Sequence, residues 1–261
     1  MRQNRTFTHI PRNTGGGYDD WMPNVNGRLF QKMSMRTRLS SLPWQAEFAI
    51  VFLTAFGWFI YVSLHIYFVR HTGVVISGSE KLHLVTFEVA VITLLGAFLY
   101  ARGWTLARIG LTPSWRDTAI GIILAFVSYL MYRFAWTVFY ELWPSLSRAL
   151  AVHYSVRSQI SPLSMLALLA VNPLFEEVFV IGYIITVLKE KYGAILAVNA
   201  SLTTRILYHL YQGIGGLFSH IPTGLLFGIW YVRTQRLWPL IVAHAALALY
   251  SLRHYIGTGS F

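Results

Sequence analysis

The sequence contains no cysteine and few charged residues. The absence of cysteine in 261 residues excludes disulfides, thiolate metal sites, a cysteine nucleophile and palmitoylation. Charged residues make up only 12% of the chain, about half the share found in an ordinary soluble domain. Acidic residues are less common than basic ones, with 10 Asp and Glu against 21 Lys and Arg. Because hydrophobic residues reach 55%, the composition is typical of a membrane protein.

Long apolar runs recur along the chain. One helical crossing of a hydrocarbon core needs about 20 apolar residues. The core offers no water to backbone groups, so helices are the natural spanning structure, and the period-2 alternation of an outer-membrane barrel is absent. We therefore predict an all-α, polytopic transmembrane bundle of about seven to eight helices, the eighth arising if Pro173 splits the fourth span. The predicted spans are 46–69, 83–101, 118–142, 162–188, 192–211, 214–232 and 237–255.

Residues 1–45 differ from the rest of the chain. They are polar and carry a triple glycine, and their basic residues far outnumber their acidic ones. No apolar region follows a short basic start, so the segment is not a cleavable signal peptide. We predict a basic N-terminal segment that is disordered in its first half. Its second half is either solvated or a membrane-surface helix on anionic lipids. Residues 46–261 carry no internal repeat and are predicted to form one transmembrane, protease-like domain.

The net charge of +11 raises the question of nucleic acid. Outside the N-terminal segment, Lys and Arg are scattered between spans and form no basic patch interleaved with aromatic residues. We therefore predict no nucleic-acid partner.

More Lys and Arg fall in the loops on the side of the N-terminus than in those on the opposite side. The positive-inside rule then predicts a cytoplasmic N-terminus.

Two adjacent carboxylates lie inside the apolar stretch "NPLFEEVFVIGYI". They are Glu176 and Glu177. An ionised acid at membrane depth costs a few kcal/mol and usually faces a protein interior or a water-filled cavity. On a helix the two side chains point about 100° apart, so we expect them to have different roles. The following spans carry Arg205 and His209, four residues apart on one helix face, and then His244.

One acid and two imidazoles from three helices permit several kinds of site. The carboxylate can activate water for attack on a carbonyl, while a histidine holds that water or donates to the developing oxyanion. The same trio can bind zinc with an open position. Chains of Glu and His also relay protons in transporters. The sequence has no His-Glu-x-x-His, Gly-x-Ser-x-Gly or Gly-x-Gly-Asp motif, so a protease here would use the dispersed Glu and His set.

Other ionisable residues at membrane depth have structural explanations. We predict that Glu88 and Arg133 form a buried ion pair between the second and third spans. His220 precedes Pro222 near the start of a span, and we predict an interfacial position for it, with an approach to the mouth of the pocket as the alternative.

At these residues the sequence resembles the CPBP family, which includes the CAAX prenyl proteases and the bacteriocin-processing and Abi-type intramembrane proteases. The first family motif is a Glu-Glu pair followed by Arg and commonly Gly-Tyr, here "EEVFVIGY" at 176–183. The second is Phe-x-x-x-His, here "RILYH" at 205–209. The third is a Gly-rich helix leading to His and then Asn or Asp, here "GLLFGIWYVRTQRLWPLIVAHAALA" at 224–248. The resemblance covers about a third of the chain.

The resemblance implies an intramembrane endopeptidase that hydrolyses a peptide bond of a membrane-associated protein or peptide. It implies that Glu176 activates water, and that His209 and His244 bind this water or stabilise the tetrahedral intermediate, with Glu177 supporting them. It favours a mechanism without metal or other cofactor, with zinc on Glu176, His209 and His244 as the alternative. By family habit, the expected location is a prokaryotic cytoplasmic membrane.

The sequence departs from the family pattern at three positions. Ile181 stands where the family has Arg, Arg205 replaces the Phe, and Ala248 replaces the Asn or Asp. Without the Arg, a buried Glu177 would cost several kcal/mol or stay protonated. We hypothesise that Arg205 supplies the displaced charge and pairs with Glu177. The departures also motivate an alternative function, a catalytically weak family member that acts as a membrane scaffold or regulator.

Overall fold

The structure is a computed structural model that describes residues 42–70, 74–76, 78–150, 154–156 and 161–257. Within it, Leu42–Phe261 form one compact unit. Nearly all of the predicted basic segment 1–45 lies outside the described residues, so its conformation and its boundary with the membrane domain stay predictions.

The described chain is built almost entirely from helices, and all seven predicted apolar segments are helical within a few residues of their predicted bounds. The α-helices are α1 Trp44–Phe52, α2 Trp58–His65, α3 Gly78–Ala101, α4 Trp115–Leu142, α5 Pro144–Ala149, α6 Pro162–Glu176, α7 Ile184–Tyr192, α8 Ala194–His209, α9 Gly213–Thr234 and α10 Trp238–Gly257. Three π-helical segments and one 3₁₀ turn connect some of them: Leu53–Gly57, Ile66–Arg70, Glu177–Tyr183 and Leu210–Gln212.

Four helical runs among the described residues are long and apolar enough to cross a membrane. They are Trp44–Val69, Ser79–Ala101, Trp115–Leu142 and Pro162–Tyr192. Trp238–Leu252 is a shorter apolar helix. The remaining two predicted spans correspond to α8 and α9. Helix α8 has 16 residues, fewer than the roughly 20 that a crossing needs. Polar and small residues interrupt the apolar sequence of α9. The chain is an integral membrane protein. Four of its seven predicted spans are long and apolar enough, among the described residues, to cross a membrane.

A small parallel pairing of strands departs from the all-α prediction. β1 Val74–Ile76 lies before α3, and β2 Tyr154–Val156 lies before α6. Valine and isoleucine are stiff, β-branched residues that favour extended backbone. The pairing also supplies hydrogen-bond partners to backbone groups in the connections that precede α3 and α6.

The fourth span is continuous through Pro173, so this proline does not split it, and the described helices agree with the lower end of the predicted seven to eight. Helical structure runs without a break over Pro162–Tyr192, with Pro173 inside α6. Neighbouring helices allow a membrane helix to tolerate such a proline. The run changes to π-helical geometry over Glu177–Tyr183, the segment that begins with the second carboxylate.

Small residues let α8 and α9 approach closely. Gly224 and Gly228 form a G-x-x-x-G pattern on α9. An added Cβ would lie 2.8 Å from Leu202 at the first glycine and 3.0 Å from Val198 at the second. Such patterns allow close contact between helix backbones in membranes. A Cβ at Gly224 would also lie 3.5 Å from Arg205 Cδ, so this glycine leaves room for the buried Arg205 side chain.

An aromatic cluster packs beside the buried acids and histidines. Phe56 is buried, and its ring stacks on Tyr208 with centroids 5.4 Å apart. Phe175, also buried, contacts Phe56 at 5.9 Å between centroids. Because α3 and α10 pack on α6, and α8 packs on α9, polar residues of several helices can meet beside this cluster.

Candidate active site

The predicted acid and the two histidines converge in one buried place. Glu176 ends α6, His209 ends α8, and His244 lies in α10. Glu176 Oε2 lies 3.6 Å from His209 Nε2. Ligand-type atoms of Glu176, Glu177 and His244 lie within 4.8 Å of one another. The two imidazoles retain some exposure, 13% and 17% of their side-chain surfaces.

The hypothesised ion pair between Arg205 and Glu177 is present. Arg205 Nη2 donates to Glu177 Oε1 at 2.7 Å, and Nη1 lies 3.6 Å from Glu176 Oε2. Arg205 is buried, Glu177 is fully buried, and Ile181 packs in the core at the position of the family Arg. Because a buried carboxylate needs a compensating charge, the cation that the first motif lacks comes from the next helix.

Glu177 also orients His244. The distance between His244 Nδ1 and Glu177 Oε1 is 2.7 Å. An ionised carboxylate only accepts hydrogen bonds, so Nδ1 carries the proton of this contact, and Nε2 is an acceptor when the ring is neutral. The adjacent acids share Arg205 but contact different histidines: Glu177 contacts His244, while Glu176 faces His209.

Tyr208 is a site residue that the sequence interpretation missed. Its hydroxyl donates to Glu176 Oε2 at 2.6 Å, and the side chain is buried. A signal was available, since Tyr208 follows Arg205 by three residues and such pairs share a helix face. Tyrosine is common in apolar helices, so its type alone did not distinguish it.

His220 stacks on His209 with ring centroids 3.9 Å apart and planes 8° from parallel, so it lies beside the site. Its expected position at the membrane interface stays a prediction. Its Nε2 lies 3.1 Å from Gln212 Oε1, and Gln212 Nε2 lies 3.4 Å from His209 Nδ1. An amide oxygen accepts and an amide nitrogen donates, so His209 Nδ1 is the acceptor and its proton lies on Nε2, facing Glu176. The chain reversal at Gly213, whose φ is +74°, creates this contact, and helical periodicity does not predict it.

The predicted pair of Glu88 with Arg133 is wrong. Glu88 Oε1 instead accepts from Asn172 Nδ2 at 2.6 Å, while Arg133 is exposed. Asn172 Nδ2 also donates to Glu176 Oε1 at 3.2 Å. Asn172 precedes Glu176 by four residues, and this spacing places both on one helix face. The sequence therefore contained the signal for Asn172, whereas the contact with Glu88 depends on the packing of α3 against α6.

A cavity of about 140 Å³ opens beside Glu176 and His209. Because liquid water takes about 30 Å³ per molecule, the cavity has room for several waters. Its walls are polar near the carboxylates and apolar elsewhere. Further polar lining residues are Lys81, Glu88, Asn172 and Tyr208, and apolar ones include Phe56, Phe59, Leu84 and Leu168. The site therefore combines a buried carboxylate, hydrogen-bond donors and space for water.

The comparisons with known proteins support one family. Residues 158–250 match the family model described as "Type II CAAX prenyl endopeptidase Rce1-like". This matched segment contains both carboxylates, Arg205 and the two histidines. The resemblance to the CAAX proteases is confirmed for this segment. No curated protein and no solved structure matches the chain.

The residues of the matched segment do not fit the zinc alternative. The mutually close donors are Glu176, Glu177 and His244, rather than the predicted set with His209. Glu177 Oε1 and His244 Nδ1 already contact each other at 2.7 Å. The Arg205 guanidinium, which is always charged, approaches both carboxylates. A divalent cation placed among these donors would be repelled by the guanidinium at short range.

Proposed function

We propose that the chain is an intramembrane endopeptidase that hydrolyses a peptide bond of a membrane-associated protein or peptide. Membership of the matched segment in a protease family supports peptidase activity in general. The observation that carries the specific proposal is the setting of Glu176. Its carboxylate is buried, contacts Tyr208, faces His209 and lines a cavity with room for water.

Glu176 is the proposed general base. A water in the cavity transfers a proton to the Glu176 carboxylate as its oxygen attacks the carbonyl carbon of the scissile bond. Proton transfer to a positioned base typically contributes about 10²- to 10⁴-fold in rate. His244 Nε2 is the proposed acceptor that holds the second hydrogen of this water, because Glu177 keeps the proton of that ring on Nδ1.

His209 is the proposed oxyanion donor. Its Nε2–H faces the cavity beside Glu176 and can donate to the negative oxygen of the tetrahedral intermediate. The proton held by Glu176 then passes to the leaving nitrogen as the C–N bond breaks. One water is consumed, and the products are a carboxyl group and an amine.

The cavity supports an apolar substrate segment. Phe59, Leu84 and Leu168 provide an apolar wall, as expected for a site that binds ligands by burying apolar surface. We propose membrane lipids and this substrate as the partners, with no nucleic acid. The charge bias between loops supports a cytoplasmic N-terminus, and a prokaryotic cytoplasmic membrane remains the proposed location.

Proteoliposomes with fluorogenic membrane-anchored peptides, including prenylated CAAX tails, test the proposal. We expect Glu176→Gln to lower kcat at least 100-fold without loss of folded protein. Glu190→Gln is the matched control, because Glu190 is an exposed acid that pairs with Arg108 outside the site. Equal turnover by Glu176→Gln and the native chain would refute the role of Glu176.

A scaffold function is the second candidate, and Ala248 favours it because alanine offers no side-chain hydrogen bond to the water or the oxyanion. Cross-linking of the same peptides separates the two functions. A protease turns over bound peptide in the native form and retains intact peptide in Glu176→Gln. A scaffold retains intact peptide in both forms.

A further inference from the structure

Asn172 bridges two buried carboxylates that belong to different helices. Its Nδ2 donates to Glu88 Oε1 on α3 at 2.6 Å and to Glu176 Oε1 at 3.2 Å. Glu88 is only 1% exposed, and its second oxygen, Oε2, has no hydrogen-bond partner among the described residues. All three side chains line the cavity. The amide is therefore part of the cavity wall that carries the proposed base.

This bridge restrains the Glu176 carboxylate. The terminal torsion of a glutamate is soft, so its hydrogen bonds determine how the carboxylate is oriented. Asn172 holds Oε1, and Tyr208 holds Oε2 at 2.6 Å. A primary amide has two N–H groups, and here each carboxylate takes one of them. Rotation of the Asn172 amide would break both hydrogen bonds, so Glu88 fixes the amide that orients Glu176.

Asn172 brings its carboxamide to the cavity from α6, one helical turn before Glu176. We infer that Asn172 is the positioning residue for the catalytic carboxylate of this chain, and that Glu88 acts through it. This inference rests on the proposed role of Glu176 as the base.

A purely structural contact between α3 and α6 is the rival explanation, and substitutions at Glu88 separate the two. Glu88→Gln keeps a carbonyl oxygen that can accept from Asn172, whereas Glu88→Leu removes the acceptor. Asn172→Ala removes the bridge itself. Thr186→Val is the matched control, because it deletes a buried side-chain hydrogen bond of 2.8 Å, to Tyr231, away from the cavity.

The readouts are kcat, KM and infrared difference spectra of the carboxyl groups in proteoliposomes, with the Glu176 bands assigned from their loss in Glu176→Gln. We expect Asn172→Ala to lower kcat about 10- to 100-fold with KM within threefold, and to shift the Glu176 bands. Glu88→Leu should lower kcat about tenfold and shift the same bands. Glu88→Gln and Thr186→Val should stay within threefold of the native kcat, with the Glu176 bands in place.

Unshifted Glu176 bands in folded Asn172→Ala or Glu88→Leu would overturn the inference. A kcat loss as large in Glu88→Gln as in Glu88→Leu would also overturn it, because Glu88 would then act by its charge or its proton. If Asn172→Ala does not fold, Glu88→Leu carries the test. The spectra need no turnover, so they remain valid if Glu176→Gln keeps its activity and the proposed function fails.

Discussion

The ion pair of Arg205 with Glu177 makes the sharpest stability prediction. Arg205→Met keeps most of the side-chain length and removes the guanidinium. Glu177 is fully buried, and the ionisable groups nearest to it besides Arg205, within the described residues, are Glu176 and His244. The substitution therefore leaves a carboxylate inside the protein without its compensating charge, which is the costly way to break a buried pair.

The expected magnitude follows from the burial of both partners. Removing one member of a buried pair costs roughly 3–5 kcal/mol. For a chain of this size, that loss lowers the unfolding temperature by roughly 10 °C. The double variant Arg205→Met with Glu177→Gln should recover more than half of the loss, because a neutral amide tolerates burial better than an unpaired charge and its oxygen still accepts from His244.

Thermal unfolding of purified protein in detergent, followed by tryptophan fluorescence, measures the effect. Arg108→Met is the control, since the 3.3 Å pair of Arg108 with Glu190 has side chains 40% and 52% exposed. An exposed pair is worth about 1 kcal/mol or less. The reasoning is refuted if Arg205→Met shifts the unfolding temperature no more than Arg108→Met does. It is also refuted if the double variant is no more stable than Arg205→Met alone.

Two further predictions concern activity. Tyr208→Phe should lower kcat about 10- to 100-fold with little change in KM, because it removes a 2.6 Å hydrogen bond to Glu176, and a bond to a charged group is worth roughly 1.5–3 kcal/mol. Tyr250→Phe, which removes an exposed hydroxyl contact with Tyr129, is its control, and equal kcat values for the two variants would contradict the prediction. Chelation should leave the peptidase activity within twofold of its starting value, because Arg205 supplies the positive charge beside the two carboxylates. Loss of activity on chelation, followed by recovery on adding zinc, would contradict this prediction.

The helical architecture was predictable because backbone groups in an apolar environment must be satisfied within a helix. All seven predicted apolar segments are helical, with bounds correct to a few residues, and four helical runs among the described residues are long and apolar enough to cross a membrane. The short strands and the unbroken helix through Pro173 were not predictable. Both depend on which neighbours a segment meets, and neighbours in a membrane bundle can be far apart in sequence.

The site was predictable to the extent that its residues carry spacing signals. The pairing of Arg205 with Glu177 followed from a missing charge at Ile181 and a charge added one helix later. Asn172 and Tyr208 also had helical spacing signals, but their types are ordinary in such segments. The partner of Glu88 could not be predicted, because the sequences of the apolar helices do not indicate whether Glu88 contacts Arg133 or Asn172.

The sequence alone determined that this protein is a membrane helical bundle with one concentrated set of buried acids, imidazoles and an arginine, because these groups are too costly in an apolar environment to lie there without partners. Only the tertiary structure decided which residues those partners are. The packing of α3 on α6 joins Glu88 to Asn172, and the reversal before α9 brings His220 onto His209. Hydrogen bonds require contact within about 3 Å, and contact between helices is set by packing rather than by position along the chain.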